Sequence, residues 1–200
     1  RPVLIDRETN QAFSVGLARG AERIAGPSGV EGWIVEEYFQ QHPTLSRLNV
    51  SSVNTVRVWV RRAHRHADAF CVGGYLRIGR EGSVVDNQSR GGLVCAVDTS
   101  SGILHVAHCG TAARRAYAKH PDHGAPIEGL QIPFWGELIN LACRALECFP
   151  ELYFCGLDVA IGNDGPVIIE LNPSPDKEGA AFMQIRFPDC YGIDMAKLSD

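Results

Sequence analysis

The chain has 200 residues, a formal net charge of -4 and ordinary proportions of hydrophobic (45%) and charged (21%) residues. These values suit one domain, or one domain and a small lobe, and speak against a disordered chain, a nucleic-acid coat or a membrane-surface binder. No apolar run reaches membrane-spanning length, and no charged-then-apolar leader opens the chain. Seven cysteines are scattered without a CxxC pair, several of them in apolar patterns, which points to buried thiols in a reducing cytoplasm rather than a disulfide framework. Lys119, Lys177 and Lys197 are the only lysines. The abrupt start at Arg1-Pro2 is expected of a piece of a longer protein.

Taken in order, the residues predict a short helix near Val15–Ile24 and a strand over Trp33–Phe39. A loop over Asn49–Asn54 leads into a β-branched strand, Val53–Val60, in which Thr55, Arg57 and Trp59 alternate with Val56, Val58 and Val60. A polar turn, Arg61–Asp68, joins it to a strand over Ala69–Ile78. Two shorter strands, Leu93–Asp98 and Ile103–His108, flank the turn Thr99-Ser100-Ser101-Gly102. Residues 109–130 have no period and read as loop. Pro133 opens a helix whose apolar stripe is Leu138, Ile139, Ala142, Ala145, Leu146 and Phe149, with Pro150 past its end. After Pro175 the chain reads as irregular. Strands, one good helix, then strands predict an α+β fold with a largely antiparallel sheet.

The stretch Gly156–Pro175 carries the chemistry. Gly162-Asn163-Asp164-Gly165 is a hairpin turn flanked by apolar alternation. Symmetric folding about Asp164 sets Ile161 opposite Val167 and Asp158 opposite Glu170. One face then holds Leu157, Val159, Ile161, Val167, Ile169 and Leu171, and the other holds Asp158, Glu170 and Asn172. Like charges placed opposite each other are destabilising. Two carboxylates and an amide oxygen are hard ligands suited to Mg²⁺, so Asp158, Glu170 and Asn172 are the candidate metal ligands. Removing either acid is expected to leave the fold intact, and even to stabilise the metal-free protein by relieving that repulsion.

The other motifs are weaker alone. Arg57 lies opposite the valine face of its strand, as an ion-pair partner or a phosphate clamp. Asn87 with Gly91-Gly92 forms a polar loop that is either an anion nest or a plain turn. His105, His108, Cys109, His120 and His123 could be grouped as a zinc set, but no second ligand pair of zinc-finger type appears. The basic turn Arg61–His66 reads as a solvated hairpin tip rather than a nucleic-acid contact, because aromatic interleaving is missing. There is no Walker loop, dinucleotide fingerprint or nucleophile elbow.

Five features together resemble the C-terminal lobe of the ATP-grasp superfamily: Ile34-Val35-Glu36-Glu37-Tyr38, Asn54-Thr55-x-Arg57-Val58, Arg77, Asn87 with Gly91-Gly92, and Asp158…Glu170-x-Asn172. The runs Gln41-His42-Pro43…Ser52-Val53-Asn54-Thr55, Val85-Asp86-Asn87 and Ile132-Pro133-x-Trp135 are similar to its sugar-transfer-associated family. The resemblance spans about residues 33–175. It implies an ATP-grasp C-terminal lobe over 33–200, preceded by a remnant of the N-terminal lobe over 1–32. It implies ATP and magnesium as cofactors, with adenine read by the backbone of Glu36, Glu37 and Tyr38 and phosphate approached by Asn87, Gly91 and Gly92. Arg57, Arg77 and Arg90 would neutralise the transferring group. The implied reaction is ligation of a small-molecule carboxylate to an amine or thiol through an acyl phosphate, in polysaccharide or cell-surface biosynthesis. The family's N-terminal lobe supplies a lysine and a glycine-rich lid, and no lysine precedes position 119 here. A missing upstream lobe or domain is therefore expected. A non-catalytic nucleotide- or metal-binding scaffold and an ATP-grasp kinase stay open as alternatives.

Overall fold

The alternating runs of the sequence form strands. The computed structural model describes residues 3–5, 12–14, 39–86, 91–109, 115–175, 177–183, 185 and 190. They fall into two units, Arg1–Gln40 and Gln41–Asp200. In the first unit, β1 (Val3–Ile5) pairs antiparallel with β2 (Ala12–Ser14), Leu4 opposite Phe13. The helix expected near Val15–Ile24 lies outside the described residues, as does all but Phe39 of the strand expected over Trp33–Phe39.

The second unit begins with a short helix, α1 (Pro43–Ser46), which the sequence reading missed. The His42 ring caps it by accepting from the Thr44 N–H, and Pro43 opens it, so one turn forms without an apolar stripe to announce it. Then come β3 (Val56–Arg61), β4 (Phe70–Ile78), β5 (Leu93–Val97), β6 (Leu104–Cys109) and β7 (Ala116–Tyr117). The helix α2 (Trp135–Glu147), the hairpin β8 (Phe154–Gly162) and β9 (Gly165–Asn172), and α3 (Glu178–Phe182) complete the unit. The sheet is seven-stranded and wholly antiparallel in the order β7-β6-β5-β4-β3-β8-β9. The fold is α+β, as expected.

β3 sits between β4 and β8 and sorts its residues by face. Val56, Val58 and Val60 join Leu76, Ile78, Leu157, Val159 and Ile161 in a fully buried layer. α2 covers that layer with Leu138, Ala142 and Leu146. Each such valine, leucine or isoleucine contributes about 1.5–3 kcal/mol by leaving water. The helix starts two residues past Pro133 because Phe134 adopts a left-handed backbone (φ 56°). Its first residue, Trp135, donates from the indole to the Thr99 carbonyl at 2.9 Å, tying α2 to the β5–β6 turn. Phe149, expected on the apolar stripe, lies beyond the helix and is exposed.

The opposite face of the sheet carries a smaller cluster of Trp59, Phe154, Ala180 and Cys190. α3 packs there, in a segment read from sequence as irregular. Gly179 allows it: a Cβ at that position would lie 2.5 Å from the Trp59 ring. Residues 109–130, expected to be loop throughout, include the two-residue strand β7. No helix among the described residues is long and apolar enough to cross a membrane.

Candidate functional site

The site face is organised by strand register. One cross-strand row runs Glu170, Asp158, Arg57, Tyr75, Ala96 over β9, β8, β3, β4 and β5. The neighbouring row holds Asn172, Gly156, Trp59 and Gly73. Asp158 and Glu170 are thus directly opposite, as the hairpin argument required, but by another route. The turn is the two-residue Asn163-Asp164, with Gly162 opposite Gly165 and Ile161 opposite Pro166 rather than Val167. A bulge between Asp158 and Val159 then takes up one extra β9 residue, Ile169, and restores the pairing at Glu170. The turn register and the bulge together redistribute the apolar side chains. Ile168 and Leu171 pack against the core, while Val167 and Ile169, expected on the buried face, are exposed.

Asp158 is buried in a strand whose nine residues are all buried. Its carboxylate is held by two arginines. Arg57 donates from Nε to one oxygen and from Nη2 to the other, the latter at 2.9 Å. Arg77 donates from Nη2 to Oδ2 at 2.6 Å. Burial alone would lower the Arg57 pKa. The hydrogen bonds and charge of Asp158, with smaller contributions from Tyr75 and Glu170, outweigh it and raise the pKa, so this guanidinium stays charged. Arg77 is anchored a second time through the same edge of its guanidinium. Thr55 Oγ1 accepts from its Nε at 2.9 Å and its Nη2 at 2.7 Å. Thr55 donates its backbone N–H and its hydroxyl to Asp86 Oδ2, which lies 3.5 Å from Arg77 Nε.

Thr55 and Asp86 had been quoted only as motif neighbours. Their part in the site was visible in sequence only as an acid in a polar loop and a hydroxyl in step with Arg57. Asn54, by contrast, is fully occupied inside the fold. Its amide donates to Gln41 Oε1 and to the Leu45 and Asn49 carbonyls, and its Oδ1 accepts from the Gly79 N–H. Gln41 in turn donates to the Asn49 and Ser52 carbonyls. This buried amide pair fixes the approach to β3 and so the register that presents Arg57.

Glu170 is exposed, and Asn172, half-buried, accepts from the Ser174 N–H at 3.2 Å. An open carboxylate and an amide oxygen two residues apart on one face, beside a buried carboxylate, are hard donors that suit Mg²⁺. Asp158 is already shared by two cations, so the strongest anionic donor left open is Glu170. The combination of carboxylates and arginines fits a metal–phosphate unit better than a bare cation.

Gly91 and Gly92 lie just before β5, Gly91 in the positive-φ region (φ 85°) that favours glycine. Glu36, Glu37, Tyr38, Asn87 and Arg90 lie outside the described residues. Among the described residues no group of three or more His, Cys, Asp or Glu side chains could hold a metal, so the possible zinc set does not assemble there. His120 and His123 instead stack at 4.1 Å, with ring nitrogens 3.0 Å from the Gly79 carbonyl and 2.8 Å from the Leu48 carbonyl. In the basic turn, Arg62 braces the α2–β8 connection through the Phe149 and Leu152 carbonyls, and Arg61 covers the Phe70 ring.

Among curated proteins, no match to the chain is found. A family model described as sugar-transfer associated ATP-grasp matches residues 24–187, which takes in β3, the arginine pair and the whole β8–β9 hairpin. The chain belongs to the sugar-transfer associated ATP-grasp family.

Proposed function

We propose that the protein is the nucleotide-binding part of a Mg-ATP-dependent ligase that joins a carboxylate to an amine or thiol through an acyl phosphate. The observation that carries this reading is the row Glu170–Asp158–Arg57 with Arg77 beside it. It brings hard anionic donors and fixed guanidinium forks onto one face of a rigid sheet. Phosphoryl transfer needs little covalent help from a protein. It needs the reacting groups held still and the developing charge neutralised.

Asp158, Glu170 and Asn172 would hold magnesium, which would supply positive charge to offset that of the phosphates. Arg57, kept charged and immobile by Asp158, offers its field to the transferring group. Arg77 does the same from β4, with Arg90 proposed as a third cation, while Asn87, Gly91 and Gly92 are proposed to approach the phosphates. Glu36, Glu37 and Tyr38 are proposed as the adenine-reading segment. The family description supports a substrate in sugar-transfer chemistry, so polysaccharide or cell-surface assembly is the proposed setting. The thiols of Cys71, Cys95, Cys143, Cys148 and Cys155 carry no disulfide, which supports a reducing, cytoplasmic compartment. A lysine-bearing lobe supplied from outside this chain would complete the clamp on ATP.

Calorimetric titration with a non-hydrolysable ATP analogue, with and without Mg²⁺, tests the reading. Binding that requires Mg²⁺ and disappears in Glu170→Gln is expected. Unchanged affinity in Glu170→Gln would remove the metal assignment, and no binding at all would remove the nucleotide site.

A further inference from the structure

Asp86 is a buried carboxylate that the reading above leaves without a task. Its Oδ2 takes both the backbone N–H and the hydroxyl proton of Thr55. A threonine hydroxyl has one proton to give and two lone pairs. With the proton committed to Asp86, the lone pairs accept from Nε and Nη2 of Arg77. Arg77 is therefore held by two anchors, Asp158 at 2.6 Å and the Thr55–Asp86 pair.

The two anchors differ in what a ligand does to them. Asp158 is a proposed metal ligand, and a metal drawing on its oxygens weakens its hold on Arg77. The Thr55–Asp86 anchor makes no use of those oxygens. We propose that Asp86 is a positioning residue: acting through Thr55, it keeps Arg77 aimed at the phosphate position when Asp158 turns to a metal. This deepens the proposed nucleotide function and rests on it for its catalytic meaning, but the anchoring itself can be measured in the protein alone.

The test uses Asp86→Ala, which removes the acceptor of both Thr55 protons and the charge beside Arg77. Thr55→Val, which removes the hydroxyl without changing side-chain size, is the second variant. The first readout is hydrogen exchange of the arginine Nε–H groups by ¹⁵N NMR, with Arg77 assigned by its loss in Arg77→Lys. Exchange at Arg77 is expected to quicken about tenfold or more in both variants, with Arg57 unchanged as an internal reference. Unchanged Arg77 exchange in both variants, or equal quickening at Arg57, overturns the proposal. The second readout compares a triphosphate analogue with ADP, each with Mg²⁺. The variants should lose about tenfold of the preference for the triphosphate, and an equal loss for both nucleotides overturns the proposal. If the wild-type chain binds neither nucleotide, the proposed function fails and the exchange comparison alone decides the positioning role.

Discussion

Replacing Asp158 with asparagine separates two opposed effects whose sizes the structure allows to be compared. Asparagine removes the cross-strand repulsion with Glu170, a gain of about 0.2–1 kcal/mol for a directly opposed pair. It also removes the anion to which Arg57 and Arg77 donate three hydrogen bonds in a buried setting. Breaking a buried ion pair by deleting one partner costs about 3–5 kcal/mol, because the remaining charge is left uncompensated. The loss dominates, and a net destabilisation of about 3 kcal/mol is expected. The sequence-based expectation of a neutral or stabilising change is thereby reversed. For a domain of this size each kcal/mol moves the Tm by about 2–4 °C, so Asp158→Asn should melt about 6–12 °C below the wild type. The assay is differential scanning calorimetry at neutral pH in a chelator, which keeps metal binding out of the comparison. Glu170→Gln, at the exposed member of the pair, is the control, expected within about 0.5 kcal/mol of wild type or slightly above it. An Asp158→Asn protein as stable as wild type would refute the argument, because the arginines would then not depend on the carboxylate.

Gly179→Ala should destabilise by about 1–3 kcal/mol in chemical denaturation, although alanine ordinarily favours a helix by about 1 kcal/mol, because its Cβ would meet the Trp59 ring at 2.5 Å. A stabilised variant would mean that α3 does not pack on Trp59. Burial lowers the His120 pKa, a stacked His123 and Arg80 lower it further, and the Gly79 carbonyl and Asp122 only partly offset this. The unfolded chain then takes up the proton first as pH falls below about 6.5, so His120 contributes stability above that pH and loses it as the pH drops through the lowered value. His120→Ala, though less stable overall, should flatten the acid limb of a stability–pH curve; an unchanged slope would clear His120 of the effect. Burial pushes the thiols of Cys71, Cys95 and Cys155 up to about 12, with Cys143 adding to the rise at Cys71 and Cys155. Their contribution is complete below the ordinary 9.0 and is lost as pH climbs from there toward 12. A thiol reagent at pH 8 should therefore label the exposed Cys148 well before the buried Cys95 and Cys155, and simultaneous labelling would contradict their burial.

Where one residue decides a face, the sequence was easy to read. The valines of β3 and the arginine between two of them follow from alternation with period two. What alternation cannot carry is a change of parity, and the β9 bulge is such a change. The acid pair was placed correctly only because an error at the turn and the omission of the bulge cancelled. Helices shorter than two turns were equally hidden. α1 rests on a histidine cap and α3 on the space left by one glycine, and neither leaves an apolar stripe. Asp86 was missed for a different reason: its importance lies in a proton donated across 31 positions of sequence, which no local pattern records.

The bulged residue also gives the hairpin slack. Val167, Ile168 and Ile169 form an apolar run, and two of the three are enough to span from the turn to Glu170 in an unbroken ladder. A lineage could lose any one of them and still keep Asp158 facing Glu170, since the remaining pair would simply close ranks. What such a deletion would erase is the local bend that an extra residue imposes on its strand. Length variation among related chains should therefore gather at this run and spare the acids, with the aim of the glutamate, rather than its presence, drifting from one to the next.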